Sequence, residues 1–270
     1  MEITSRENKI FKDLLKLTQK KYRRETGLCI VEGEKLVNEH ADSAVQIFVR
    51  AGKSVTSLRG AGATRQSHLG FELWKKNVFT LTDKLWNEVS GLENSSGVLA
   101  IVKIPQKRQI VYSPFSSNAN SEDTNCVSTY LVLDGIQDPG NVGTILRTAA
   151  AFGFNTVFCI NSADVWSQKV IRAASGVQFG LDIREQSVFN KPNDSLLLAA
   201  DMMGDNPVEI AKSLRTSKQQ FGLVLGNEGK GISDEMKKHV DKFVTIPMSK
   251  DVESLNVAVA GGILMWELKK

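Results

Sequence analysis

The sequence predicts an α/β protein in two units, the second built on a mostly parallel sheet with helices on both faces. Three observations predict it. From Tyr130 onward, apolar strands such as "YLVLDGI" and "FGLVLG" alternate with helical stretches. Those strands are apolar throughout, as happens where both faces of a parallel sheet are covered. Between Pro105 and Thr129 the pattern gives way to a polar, Ser/Asn-rich run that includes "SPFSSNANSEDTNCVS". The 270 residues therefore divide into an N-terminal α/β unit (1–104), a polar linker or insertion (105–129) and a C-terminal unit (130–270).

The N-terminal unit opens on Thr4-Ser5-Arg6-Glu7, which has the form of a capping box ahead of the apolar Ile10, Phe11, Leu14, Leu15 and Leu17. That combination predicts a first helix. Lys9, Lys12, Lys16, Lys20 and Arg23 recur at steps of three and four, one basic stripe along the helix, with Arg24 beside it. Such a stripe can grip phosphates, and it equally suits the solvated face of an amphipathic helix. After Gly27 come short strands and helices in turn: "LCIV", "EKLVNEH", "VQIFV", "VFTL", "TDKLWNEV" and "GVLAIVKI".

Charge is unevenly placed. Residues 1–104 hold 17 Lys/Arg against 12 Asp/Glu, and residues 130–270 hold 15 against 16. The excess in the first unit is what contact with a polyanion requires. Cys29, Cys126 and Cys159 are odd in number, widely spaced and without a CxxC, which argues for a reducing compartment and against a zinc site. His40, His68 and His239 share no ligand spacing, so no metal is implied. The longest apolar run, Val257 to Trp266, is shorter than a membrane span. The charged start is not a secretory signal. The expected location is cytoplasmic, with a mitochondrion or plastid as the alternative should a transit peptide have been removed.

In the second unit, strand "YLVLDGI" runs into helix "NVGTILRTAAAFG", closed by Gly153. Strand "TVFCI", helix "SQKVIRAASG", strand "LLLAAD", helix "PVEIAKSL", strand "FGLVLG", helix "SDEMKKHV" and strand "KFVTIPM" follow. The final helix, "ESLNVAVAGGILMWELKK", is apolar on every side, which predicts burial. Ligands of such sheets sit at the carboxyl ends of the strands. Three polar loops stand there. In "DGIQDPGNVGTILR", Asn141 is placed to cap its helix, and Arg147 is a lone guanidinium among small residues, where an acid or anion is its usual partner. In "LGNEGKGIS", three glycines in six residues let the backbone approach a ligand, yet the spacing fits neither a P-loop nor a dinucleotide fingerprint. In "IPMSKDVESLN", Ser254 suits an N-cap and Asn256 falls just inside the helix, where a buried amide needs partners.

Taken in order, "NVGTILR", "GNEGKG" and "IPM…SLNVAVA" resemble the SpoU-type (TrmH-like) branch of the SPOUT superfamily of RNA ribose 2′-O-methyltransferases, over roughly Tyr130 to Lys270. The N-terminal "KKYRRETGLCIVEGEKLV" and "SSGVLAIV" resemble that family's substrate-binding domain, with "SSG" standing where Pro-Gln-Gly is frequent. The resemblance implies a C-terminal trefoil knot, with the last helix as the threaded end and part of a homodimer interface. It implies S-adenosyl-L-methionine as cofactor, held by Leu225, Gly226, Asn227, Gly229, Ile246, Met248, Ser254 and Leu255. Asn141, Arg147, Glu228, Ser254 and Asn256 would surround the reacting ribose, and Lys9, Lys12, Lys16, Lys20, Arg23 and Arg24 would contact RNA.

Arg147 is often cast as a base in that family, but a guanidinium keeps its proton, so phosphate anchoring and alkoxide stabilisation suit it better. A separate basic unit favours ribosomal RNA over transfer RNA. Two rival classes are a non-catalytic RNA-binding or ribosome-assembly protein on the same fold, and a base-modifying enzyme of the superfamily.

Overall fold

The computed structural model describes residues 1–53, 78–92, 95–105, 129–249 and 251–269. The linker assigned to 105–129 lies outside them except at its two ends, as do His68 and Cys126. The chain forms two compact units, Met1–Gln106 with Trp166–Gly176, and Lys107–Val165 with Val177–Lys270.

The first unit carries β1 (Glu2–Ile3), β2 (Leu28–Glu32), β3 (Ala44–Arg50), β4 (Val78–Leu81) and β5 (Val98–Lys103) in the order β1-β4-β3-β5-β2. The β1–β4 and β3–β4 pairs are parallel, and β5 runs antiparallel to β2 and β3. Helices α1 (Lys9–Lys16), α2 (Lys20–Thr26), α3 (Glu34–Glu39) and α4 (Asp83–Val89) complete it. Phe11 and Leu14 of α1 pack with Leu85, Trp86 and Val89 of α4, and with Phe48 and Leu99 of the sheet.

Its N-terminus corrects two expectations. The helix starts at Lys9, capped by Asn8, whose Oδ1 accepts from the Ile10 N–H at 2.9 Å. Ser5 instead accepts from the Glu7 N–H within its own turn. The basic stripe is not one helix either, because α1 ends at Lys16 and α2 begins at Lys20. Arg23 leaves the stripe altogether. It is buried, 5% exposed, and its Nη1 donates to the Leu17 carbonyl at 2.6 Å, satisfying the end of the preceding turn.

The second unit is a six-stranded sheet, every pair parallel, in the order β11-β9-β10-β6-β7-β8. Its strands are β6 (Thr129–Asp134), β7 (Thr156–Ile160), β8 (Asp182–Gln186), β9 (Leu196–Asp205), β10 (Phe221–Gly226) and β11 (Lys242–Val244). Its helices are α5 (Pro139–Ala151), α7 (Pro207–Ser217), α8 (Asp234–Lys237) and α9 (Val257–Lys269), with α6 (Gln168–Ala173) belonging to the first unit. Leu131, Val132, Leu133, Leu223, Val224 and Leu225 are completely buried, as continuous apolar strands in a covered sheet must be. Strand β8 had no apolar run to reveal it. It is an edge strand, and its Arg184 lies over the Phe158 ring at 5.2 Å while bonding Asp182.

The last helix is only half buried. Ala258, Gly261, Leu264, Met265 and Leu268 face inward, while Val259, Ile263 and Trp266 are 52%, 38% and 51% exposed. Inward, α9 packs on α5, α7 and β10. A Cβ on Gly261 would come within 2.6 Å of Leu225 Cδ1, so the small residues are what let α9 lie against the sheet.

The segment Trp166–Gly176 joins the first unit through particular contacts. Glu32 at the end of β2 has a fully buried carboxylate that accepts from the Ser90 and Ser95 hydroxyls and the Gly91 N–H. Arg172 of α6 pairs with that carboxylate at 3.5 Å, and Gln168 Nε2 donates to the Val89 carbonyl at 3.1 Å. A buried carboxylate needs such partners.

Candidate active site

Three loops meet at the carboxyl ends of β6, β10 and β11. The first follows Asp134, the end residue of β6. Asp138 caps α5, its Oδ1 accepting from the Asn141 N–H at 2.8 Å, and Pro139 occupies the first turn, where a missing N–H costs nothing. Asn141 is therefore not the cap. Its side chain is free to point across to the second loop.

That second loop is tied shut. Asn227 and Gly231 exchange backbone bonds at 3.0 and 2.9 Å, and Asn227 Oδ1 accepts from the N–H groups of Gly229 and Lys230. Asn227 Nδ2 donates to the Gly135 carbonyl at 2.7 Å, and the Ser233 N–H donates to Asp134 Oδ2 at 2.7 Å. Both bonds clamp the second loop to the first. A Cβ on Gly226 would lie 2.5 Å from the Gly231 carbonyl carbon, so glycine is the residue that lets the turn close.

The third loop brings in the head of α9. Here the cap is Asn256, whose Oδ1 accepts from the Ala258 and Val259 N–H groups at 2.9 and 3.3 Å. Ser254 precedes the helix and does not cap it. Asn256 is exposed within this chain, not buried, but its amide is fully oriented. With Oδ1 committed to the helix, Nδ2 donates to Asn141 Oδ1 at 2.9 Å. Asn141 Nδ2 in turn donates to Glu228 Oε1 at 3.0 Å. The relay runs from helix cap to amide to carboxylate, with each amide fixed by its neighbour.

Glu228 is held ionised. Partial burial alone would push its carboxyl up, but the Asn141 amide and the backbone N–H groups of Glu228, Gln137 and Asp138 hold it below the ordinary carboxylate range. A carboxylate in that state orients Asn141; it is not a proton donor at neutral pH. Each amide keeps one N–H beyond the relay, so Asn141 and Asn256 offer two donors on the rim. A donor-lined rim suits an oxygen on which negative charge develops.

Beneath the relay lies a cavity of about 500 Å³. Leu225, Gly226, Asn227, Ile246, Met248, Ser254 and Leu255 line it; of the predicted cofactor set, only Gly229 does not. Asn227 lines it while all its described bonds serve the loops. The cavity exists because the sheet splays. β10 pairs with β9 only as far as Val224–Ala199, yet pairs with β6 as far as Gly226–Asp134. Side-to-side alternation along β10 turns Gly226 towards β9, so its main-chain groups are released from the ladder and a ligand edge can take them. Ala200, Asp201, Met202, Val244, Thr245 and Leu264 are among its further lining residues and were missed by sequence reasoning. Asp201 ends "LLLAAD" and read simply as a strand terminus.

Arg147 is not brought into the relay. Six residues beyond Asn141, it lies about 9 Å along α5 and about two-thirds of a turn around it, and it is exposed. Lys9, Lys12, Lys16 and Arg24 are exposed on the first unit, Lys12 paired with Glu7 and Lys16 with Asp13. Lys20 is half-buried. Among the described residues no group of His, Cys, Asp or Glu is arranged to hold a metal ion.

The comparisons with known proteins bear on this arrangement. Residues 8–100 match the MRM3-like substrate binding domain. The 23S rRNA (guanosine(2553)-2′-O)-methyltransferase RlmP of Bacillus subtilis (strain 168) is 27% identical over 278 residues, covering 99% of each chain. An AdoMet-bound rRNA methyltransferase from Sinorhizobium meliloti superimposes with a TM-score of 0.75 at 25% identity, over 99% of this chain and 97% of that one. The SpoU methyltransferase AviRb from Streptomyces viridochromogenes, at 20% identity and a TM-score of 0.73 over 97% of each chain, shares the fold. Residues 128–266, which contain all three loops, match the model of the SpoU rRNA methylase family, and the chain belongs to that family.

Proposed function

We propose that the protein is an RNA 2′-O-methyltransferase that takes its methyl group from S-adenosylmethionine and acts on ribosomal RNA. The observation that carries this reading is the Glu228–Asn141–Asn256 relay on the rim of the cavity. The cavity fits the cofactor. Its volume falls in the range of small-molecule sites, and its lining is mostly apolar, with released main-chain groups at Gly226 for a base edge. When bound, S-adenosylmethionine supplies a methyl group already activated on a sulfonium.

The residues of the chain then have three tasks. The apolar lining excludes water. Ionised Glu228 fixes Asn141, and the spare N–H groups of Asn141 and Asn256, with the Ser254 hydroxyl, position a ribose 2′-oxygen and stabilise the charge that grows on it. Arg147 anchors the adjoining phosphate through its planar fork. Only RNA presents a 2′-hydroxyl. On the first unit, Lys9, Lys12, Lys16, Lys20 and Arg24 are the proposed phosphate contacts, and buried Arg23 is not.

The proposal includes a homodimer. Val259, Ile263 and Trp266 form an exposed apolar stripe on α9 at spacings of four and three, and α9 packs against α5, which carries Arg147. Seating that stripe on a partner would account for its exposure and would let Arg147 reach the partner's relay. A trefoil knot through the 245–256 segment also belongs to the reading, supported by the cavity that segment shares with the 225–231 loop.

Labelled methyl transfer to ribosomal and transfer RNA pools, followed by nucleoside analysis, tests the proposal. A 2′-O-methyl nucleoside from the ribosomal pool is the expected product. A methylated base, or no transfer by a protein that binds neither RNA pool nor cofactor, would refute it.

A further inference from the structure

We propose that Asp201, acting with Glu228, makes the cavity prefer the cationic methyl donor over the neutral thioether left after transfer. The inference rests on the cofactor reading above and adds a selection that this reading does not contain. Among the described residues, the lining holds two carboxylates, Asp201 and Glu228, and no Lys, Arg or His. Asp201 Oδ1 is pinned by the Met203 N–H at 3.3 Å, an arrangement that fixes the side chain. Its second oxygen takes no partner among the described residues. Asp201 lies just past Ala199, the last β9 residue paired with β10, so the splay that opens the cavity also delivers this carboxylate to its wall.

The charge balance of the reaction gives such a carboxylate something to read. Transfer forms a bond between the methyl carbon and the 2′-oxygen and breaks the sulfur–methyl bond. The bonding pair stays on sulfur, which becomes a neutral thioether, and the hydroxyl proton passes to water. Donor and product share their base, ribose, ammonium and carboxylate, and differ by the methyl and one positive charge. An anionic wall attracts the first more than the second, although Asp201 is exposed and solvent screens part of the attraction. Once the methyl has left, the attraction that held the donor is gone.

Calorimetric binding of three ligands to the full chain tests this: S-adenosylmethionine, S-adenosylhomocysteine, and sinefungin, which carries an ammonium-bearing carbon in place of the sulfonium. For Asp201→Asn, the two cationic ligands should weaken about five- to tenfold, as expected for loss of one charge a few ångströms away in a partly screened site. The thioether should stay within about twofold of its wild-type affinity. Asp201→Glu should restore the ratio between donor and product. Equal weakening of all three ligands would mean that Asp201 touches a group they share, and no weakening would mean that it touches none; either result overturns the proposal. Failure of the wild type to bind any of the three would instead refute the cofactor reading itself.

Discussion

Glu228 and Arg147 show how differently two polar residues of one family signature are placed within a single chain. Glu228 is engaged by Asn141 and by neighbouring backbone N–H groups, all of which donate to it. Glu228→Gln keeps the shape but turns one acceptor into a donor that faces other donors. Its turnover should fall at least about tenfold, the effect of losing an oriented electrostatic group, and melting temperature should drop modestly at neutral pH. Wild-type turnover would make Glu228 a mere loop residue. Arg147→Lys keeps the charge and loses the planar fork; it should raise KM for RNA and lower kcat while leaving S-adenosylmethionine affinity unaltered. Asn141, Glu228 and Asn256 were legible as a group, because the three short patterns carry them in a recognisable order. Which residues cap the two helices was not. Whether a side chain caps depends on where the backbone leaves helical angles, and that moved the caps to Asp138 and Asn256.

At the scale of elements, the glycine loop sets the geometry of everything near it. A Cβ on Gly226 would strike the backbone of Gly231, not a yielding side-chain end. Gly226→Ala should therefore displace the turn, cost about 1–3 kcal/mol as an overpacked position does, and abolish cofactor binding; a urea-unfolding midpoint and calorimetry would read the two effects separately. Strands β6, β7, β9 and β10 were legible because they are continuous apolar runs. Strand β8 was not, since an edge strand can satisfy itself with Arg184, Asp182 and the Phe158 face and needs no such run. The half-exposure of α9 was also hidden, because an all-apolar helix reads the same whether it is covered by its own chain or by another.

For the whole molecule, that half-exposed helix and the acid response give the two broadest tests. Trp266→Glu places a charge at the aromatic end of the exposed stripe, and sedimentation should show a shift from dimer to monomer with loss of methyl transfer. An unchanged dimer would remove α9 from the interface. Acid sensitivity follows from Glu228 and Asp241. Burial acts to raise the Asp241 carboxyl, but the Leu197 N–H and the Lys191 ammonium outweigh it and hold the group below its ordinary value. Since both carboxyls bind protons less readily folded than unfolded, the stability they add is complete above about pH 4.5 and is lost as pH falls further. Melting temperature should drop over that acid range, and Asp241→Asn should lower stability at pH 7 while flattening the acid limb. The excursion of Trp166–Gly176 into the first unit was beyond any sequence reading, because periodicity describes only neighbours along the chain.

That excursion constrains how the protein is made. The first unit is not finished when its own strands have left the ribosome, since the Arg172 guanidinium that faces the buried Glu32 carboxylate is encoded well after the start of the second sheet. Until Gly176 emerges, Glu32 lacks its cation and β2 lacks the helix α6 that packs on it. The nascent N-terminal unit should thus reach full protease resistance late. A chain cut at the linker would yield two fragments that each expose apolar surface, not two independent domains.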